Sequence, residues 1–168
     1  MSDAYQTETR EAHGRTWKVE WFYDEDTGAP WKEHDGHGPV SDWERREKTP
    51  GEMILNSDRG SKRFYDFQAA VKQAREEGWN VAPYIWPSKG AQAAAAALAD
   101  FKRLYGWCND KWHWCGVRVT LEDTDIDASL WGIESDAEDY FEEVIADLMA
   151  DCMAQVEKQT YPVTECGV

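Results

Sequence analysis

Trp17, Val19, Trp21 and Tyr23 alternate with Lys18, Glu20 and Phe22, which predicts a β-strand with one aromatic-rich face. A second alternation, Val117, Val119 and Leu121 against Arg118 and Thr120, predicts another strand. The turn EDTDID then leads back through Ala128 to Ile133, so these two runs are expected to form a hairpin. A short strand is expected around Glu52 to Asn56. Helical periodicity takes over elsewhere. Asp66 can cap a helix running to about Glu77, with Gly78 as its stop and Ala70, Val71 and Ala74 inward. Ser88 can cap a second helix, whose alanine-rich run carries Leu98, Phe101, Leu104 and Tyr105 as its apolar stripe. A third is expected to open at Ser135, with Glu138 completing a capping box.

These elements predict an α+β fold, an antiparallel sheet of three or four strands packed with three helices. Residues 1–15 lack periodicity and read as a flexible leader, 16–158 as one domain, and 159–168 as a flexible tail. The segment DEDTGAPWKEHDGHGPVSDW reads as a long loop, either functional or pinned by Trp31 and Trp43.

Charge changes this picture. Between Val119 and Glu157 the chain carries thirteen Asp and Glu residues and no Lys or Arg. The remaining residues are close to balance, 20 acids against 18 bases, within a total net charge of −15. The charge is therefore localised, and a localised negative field repels nucleic acid and anionic membranes while attracting basic protein surfaces. On the last helix, Tyr140, Phe141, Val144, Ile145, Leu148, Met149, Cys152, Met153 and Val156 form a wide apolar face. Asp139, Glu143, Asp147 and Asp151 repeat every four residues on the other side. Such a ladder spaces carboxylates roughly 6 Å apart along the axis, of the order of the separation of neighbouring backbone phosphates. Like charges at this spacing cost a helix a few tenths of a kcal/mol per pair. The helix dipole accounts for acids in the first turn but not for Asp147 or Asp151. A solvated face that serves solubility is the plain reading. The sharper one is a surface shaped to occupy a basic, nucleic-acid-binding groove, enlarged by Asp123, Asp125 and Asp127 and flanked by Trp131.

Other chemistry is sparse. The 168 residues contain no apolar run of the ~20 residues that a membrane span requires and no apolar signal region, so a cytosolic protein is expected. Ten Trp residues are expected to serve as core or interface anchors. Cys108, Cys115, Cys152 and Cys166 lack a disulfide-scaffold spacing and read as reduced thiols, with Cys166 exposed in the tail. His34, Asp35 and His37 in EHDGHG could hold a metal or act as acid and base, although a hydrogen-bonded turn explains them more simply. Cys108, His113 and Cys115 fall within eight residues, but zinc normally requires four N or S ligands and no CxxC knuckle is present. Nothing selects one Cys as nucleophile, and the chain has no GxSxG, P-loop, dinucleotide glycine pattern or HExxH. RGSKR, Arg59 to Arg63, is the one local cationic cluster, suited to balancing acids or contacting a partner.

At APWKEHDGHGPVSDW, RGSKRFYDFQAAVKQAREEGW, WCNDKWHWCGV and SLWGIESDAEDY the chain resembles a family of small acidic proteins of tailed phages and prophages of proteobacteria. The resemblance covers most of residues 17–145, carries no activity with it and transfers no functional residue. What it implies is context: small acidic phage proteins without catalytic motifs often disable a host or defence protein. The expectation is thus a non-enzymatic, cofactor-free, anti-CRISPR- or anti-restriction-like DNA mimic in the host cytoplasm. Its partner would be a basic, nucleic-acid-binding host or defence protein, with no direct nucleic-acid or membrane contact; a homodimer stays open. The alternatives are a metal- or thiol-dependent enzyme using His34 and His37 with Cys108, His113 or Cys115, and a virion or lysis accessory protein.

Overall fold

The computed structural model describes residues 3–160, so the expected tail from 161 onward, Cys166 included, lies outside the described residues. The fold is α+β, with two antiparallel sheets of four and three strands and four helices, one of them a single turn. Contacts gather the chain into two compact units, Met1–Thr27 with His113–Val168 (unit 1) and Gly28–Trp112 (unit 2).

Unit 1 is a four-stranded sheet in the order β1-β2-β6-β7 with one long helix on it. Its strands are β1 (Gln6–Ala12), β2 (Arg15–Tyr23), β6 (Trp114–Leu121) and β7 (Asp127–Glu134), and its helix is α4 (Glu138–Thr160). β1 corrects the expectation of a flexible leader. Its sequence, QTETREA, has no apolar alternation because it is an edge strand with little to bury. It is held by full antiparallel pairing with β2 across a two-residue turn, His13 and Gly14 at φ 55° and 67°, the left-handed pair that tight hairpins require. Arg10 also forks onto Glu142 of α4 at 2.8 and 3.1 Å.

The core follows the predicted alternations. Trp17, Val19 and Trp21 of β2 and Cys115, Val117, Val119 and Leu121 of β6 face Phe141, Val144, Ile145, Leu148, Met149 and Cys152 of α4. Tyr140, placed on the apolar face from the sequence, is instead half exposed. The capping box at Ser135 also gives way. The helix opens at Glu138, while Ser135 Oγ accepts the backbone N–H of His113 at 2.9 Å and Ser135 N–H donates to His113 O at 2.9 Å. With Glu138 as the first helical residue, Ser135 lies ahead of the capping position, and its hydroxyl serves the segment that leads into β6 instead.

Unit 2 is a three-stranded sheet, β3-β5-β4, with three helices. Its strands are β3 (Val40–Glu44), β4 (Glu52–Asp58) and β5 (Ser61–Asp66), and its helices are α1 (Pro30–Glu33), α2 (Phe67–Glu77) and α3 (Lys89–Cys108). The expected caps are in place: Asp66 Oδ1 accepts from Ala69 N–H at 3.0 Å, Gly78 turns left-handed at φ 70°, and Ser88 Oγ accepts from Ala91 N–H at 3.1 Å. Ala74 of α2 meets Ala93 and Ala96 of α3, the close approach that small residues permit. On α3, Leu104 is buried, whereas Leu98 and Tyr105 are exposed, so the buried stripe runs through the alanines rather than through all four large residues. The long loop holds two elements, α1 and β3, that its Gly, Pro and Asp content concealed.

Candidate partner-binding surface

Unit 1 carries 21 acids against 5 bases and unit 2 carries 12 against 13, so the whole net negative charge belongs to unit 1. Asp139, Glu143, Asp147 and Asp151 are all exposed along α4, and none has an ion-pair partner among the described residues. The burial of Phe141, Val144, Ile145, Leu148 and Cys152 orients the helix this way, because a four-residue repeat between those positions must face solvent. From Asp139 to Asp151 the ladder is about 18 Å long. Glu142, one residue away, differs. Its hydrogen bonds from Arg10 hold its carboxyl below the ordinary value.

The β6–β7 turn adds to the same surface. Leu121 N–H donates to Ile126 O at 2.9 Å, Thr124 Oγ1 donates to Leu121 O at 2.7 Å, and Ile126 is buried as the plug of the turn. Asp123, at φ 60°, and Asp125 are left exposed. Gln155 Nε2 donates to the Asp127 carbonyl at 3.4 Å, which sets the turn against the C-terminal half of α4. The buried Cys152 thiol registers that crowding. Burial first, and then the carboxylates of Asp127 and Asp151, push its pKa up to about 11. Asp127 and the end of the ladder are therefore brought together, with Asp123 and Asp125 on the turn that precedes Asp127.

Trp131 is not part of that surface. Its ring packs on Phe22, with centroids 5.6 Å apart, and lies so close over Gly116 that a Cβ there would fall 2.2 Å from an indole carbon. Phe22 alternates with the core-facing Trp21, which meets Phe141 of α4, so Trp131 sits on the sheet face away from the ladder. Gly132 N–H donates to Asp24 Oδ2 at 2.8 Å and fixes the strand there. Although burial opposes it, hydrogen bonds from Thr27, Gly132 and Asp26 hold the Asp24 carboxyl below its usual value. Trp31 and Trp43 are in unit 2, where with Trp107 they surround the Arg63 guanidinium at 5.3, 4.3 and 5.6 Å. Arg63 also bonds Asp42 at 2.9 Å, and Lys62 pairs with Glu47 at 3.5 Å, so most of the RGSKR cations are balanced within their own unit.

The candidate acid–base and metal residues are divided between the two units. His37 Nδ1 is 2.6 Å from Asp100 Oδ1, and Asp100 Oδ2 accepts from Gly38 N–H at 2.8 Å and Tyr65 OH at 2.7 Å. This network fastens the glycine-rich loop to α3, and His34 and His37 line an open depression in unit 2. Cys108 lies elsewhere in unit 2, beside Arg63, with its thiol pushed up by burial. His113 and Cys115 belong to unit 1. Burial pushes the Cys115 thiol up to about 11, away from the thiolate that nucleophilic or metal chemistry requires. Among the described residues no three His, Cys, Asp or Glu side chains converge to hold a metal, and no helix is long and apolar enough to cross a membrane.

Sequence reasoning missed Tyr5 and Tyr23, which with His113 form a partly exposed aromatic cluster at one end of the unit 1 sheet, with centroids 4.4 to 5.5 Å apart. Tyr5 lies in the segment 1–15, whose lack of periodicity gives it no signal. No protein-family model, curated protein or solved structure matches the chain.

Proposed function

We propose that the protein is a phage-encoded inhibitor, acting in the host cytoplasm, that uses the acidic face of unit 1 to occupy a nucleic-acid-binding surface. Its target is a basic host or defence protein, such as a nuclease, restriction enzyme, CRISPR effector or polymerase. The observation that carries this reading is the ladder of α4: four exposed carboxylates at a four-residue repeat, joined at one end by the turn that carries Asp127, and none of the four in an ion pair among the described residues. Such a face costs the free protein stability through like-charge repulsion, and a basic partner relieves that cost. The same field steers association and makes it weaken with salt. The phage setting rests on the resemblance of the four segments quoted above. The raised Cys108 and Cys115 thiols lend the thiol-enzyme alternative nothing.

The test is charge reversal. Asp147→Lys with Asp151→Lys is expected to abolish capture of the partner while leaving the fold intact, and duplex DNA is expected to compete with the wild-type protein. Capture that survives the double reversal with unchanged salt dependence makes the ladder a solvated face.

A further inference from the structure

One carboxylate organises the glycine-rich loop of unit 2. The Asp100 side chain, 9 % exposed, accepts on Oδ2 from Gly38 N–H at 2.8 Å and from Tyr65 OH at 2.7 Å, and its Oδ1 lies 2.6 Å from His37 Nδ1. Tyr65 is the donor of its bond, because burial and then the Asp100 carboxylate keep the hydroxyl protonated. A carboxylate held in this way takes its third bond from a donor too. The neutral His37 ring therefore carries its proton on Nδ1 and presents Nε2 as an acceptor. Nor is the loop free to swing. A Cβ at Gly38 would fall 2.6 Å from both the Ala70 Cβ and the Tyr65 hydroxyl oxygen, so the backbone there is seated against α2 and β5.

His37 Nε2 has no partner among the described residues, and it is open to solvent, since the buried unpartnered side-chain atoms there are Asn56 Oδ1 and His113 Nε2. The ring lines an open depression of about 490 Å³. In the same depression Gln73 Nε2 donates to His37 O at 3.3 Å and to Glu77 Oε2 at 3.4 Å, so one amide group bridges His37 and the Glu77 carboxylate. Trp79 Nε1 donates to that same Oε2 at 2.7 Å. Glu77 Oε1 is left without a partner, and no cation pairs with Glu77, among the described residues. The lining includes a second carboxylate residue, Asp35, and no Lys or Arg, while Trp31 and Val40 add apolar surface.

We propose that this depression binds a primary alkylammonium group, which donates to His37 Nε2 and Glu77 Oε1 and lays its alkyl stem on the apolar lining. The site lies within unit 2 and needs nothing from the acidic face of unit 1. A neutral imidazole acceptor beside a carboxylate without a cation calls for a positively charged donor, and an anion would meet repulsion alone. The form of the cation follows from Glu77. A guanidinium bonds best by forking onto both oxygens of a carboxylate, and Oε2 is already taken by Gln73 and Trp79. An ammonium concentrates three donors on one nitrogen and reaches a single oxygen and a ring nitrogen equally well. A lysine side chain of a protein and a free polyamine both present this chemistry.

Histidine-ring and amide NMR spectra of the isotope-labelled protein near neutral pH test the site. Without ligand, His37 should show a protonated Nδ1 and a bare Nε2. Nα-acetyl-lysine amide should shift His37 Nε2 and the amides of His37, Gln73 and Glu77. It should bind about tenfold more tightly than tetramethylammonium, which has the charge but no N–H, the scale of one charge-assisted hydrogen bond. Nα-acetyl-arginine amide should bind more weakly than the lysine derivative. Glu77→Gln, at an exposed position, should abolish the preference over tetramethylammonium, while Asp147→Lys with Asp151→Lys should preserve it. Spermidine that shifts His37 Nε2 at lower concentration than the lysine derivative assigns the site to a polyamine, and the opposite order assigns it to a lysine side chain. A proton on Nε2, equal shifts from tetramethylammonium and the lysine derivative, an arginine derivative that binds as tightly as lysine, or a preference that persists in Glu77→Gln overturns the site.

Discussion

Replacing Gly116 with alanine probes the packing of unit 1 at one atom. Gly116 lies opposite Phe22 in the β2–β6 pairing and at the irregularity where β6 meets β7. Its added methyl would stand 2.2, 2.4 and 2.6 Å from three carbons of the Trp131 ring. Carbon atoms in contact rest about 3.5–4.0 Å apart, so the indole must move by more than 1 Å. Overpacking of this kind costs about 1–3 kcal/mol, and loss of the Phe22–Trp131 pair adds about 0.5–1.5 kcal/mol. Against these stands a gain of about 0.5–1 kcal/mol from removing a glycine within a strand. The expected net loss is about 1–3 kcal/mol. In a Trp131→Ala background the obstacle is gone, so the same Gly116→Ala change should be neutral or mildly stabilising. Urea unfolding of the four proteins, followed by circular dichroism, closes the double-mutant cycle with a coupling above about 1 kcal/mol. Equal destabilisation in both backgrounds would refute the contact.

Ile145→Ala and Leu148→Ala should each cost roughly 2–5 kcal/mol, because both side chains are buried between α4 and the sheet; thermal melts that do not move would contradict that packing. His113 gives a pH dependence with a definite sign. Its folded pKa lies below the ordinary value of 6.5, so the unfolded chain binds the proton more readily. The stability contributed by the neutral ring is complete above that ordinary value and is lost as pH falls through it towards the folded pKa. A His113→Gln variant should show a flatter stability profile over that range in urea titrations, and identical profiles would rule out the buried neutral ring.

The parts of the fold that were legible in the sequence are those whose signals are local. Asp66, Gly78 and Ser88 mark helix ends through backbone geometry that needs no distant partner, and the alternation of β2 and β6 follows from burial of one face. β1 was hidden because an edge strand held by pairing and by Arg10–Glu142 needs no apolar pattern. Ser135 carries a capping signature, yet the helix opens at Glu138 and the Ser135 hydroxyl serves His113, 22 residues away, a contact that sequence spacing does not record. The acidic ladder was readable because a four-residue repeat on a helix is a local fact, and so was its exposure. Its neighbours were not. Trp131 is adjacent in sequence to the acidic helix but lies across the sheet from it, whereas Tyr5 and Tyr23 are remote in sequence and meet at one end of the sheet.

The central claim is that the α4 carboxylates themselves contact a nucleic-acid-binding surface. The most direct measurement is capture from a proteobacterial lysate on immobilised wild-type protein and on the folded Asp147→Lys, Asp151→Lys variant, at low and high salt. The account predicts basic proteins retained by the wild type at low salt, released by duplex DNA or by raised salt, and absent from the variant. The same proteins held by both, with the same salt dependence and no displacement by DNA, would contradict it.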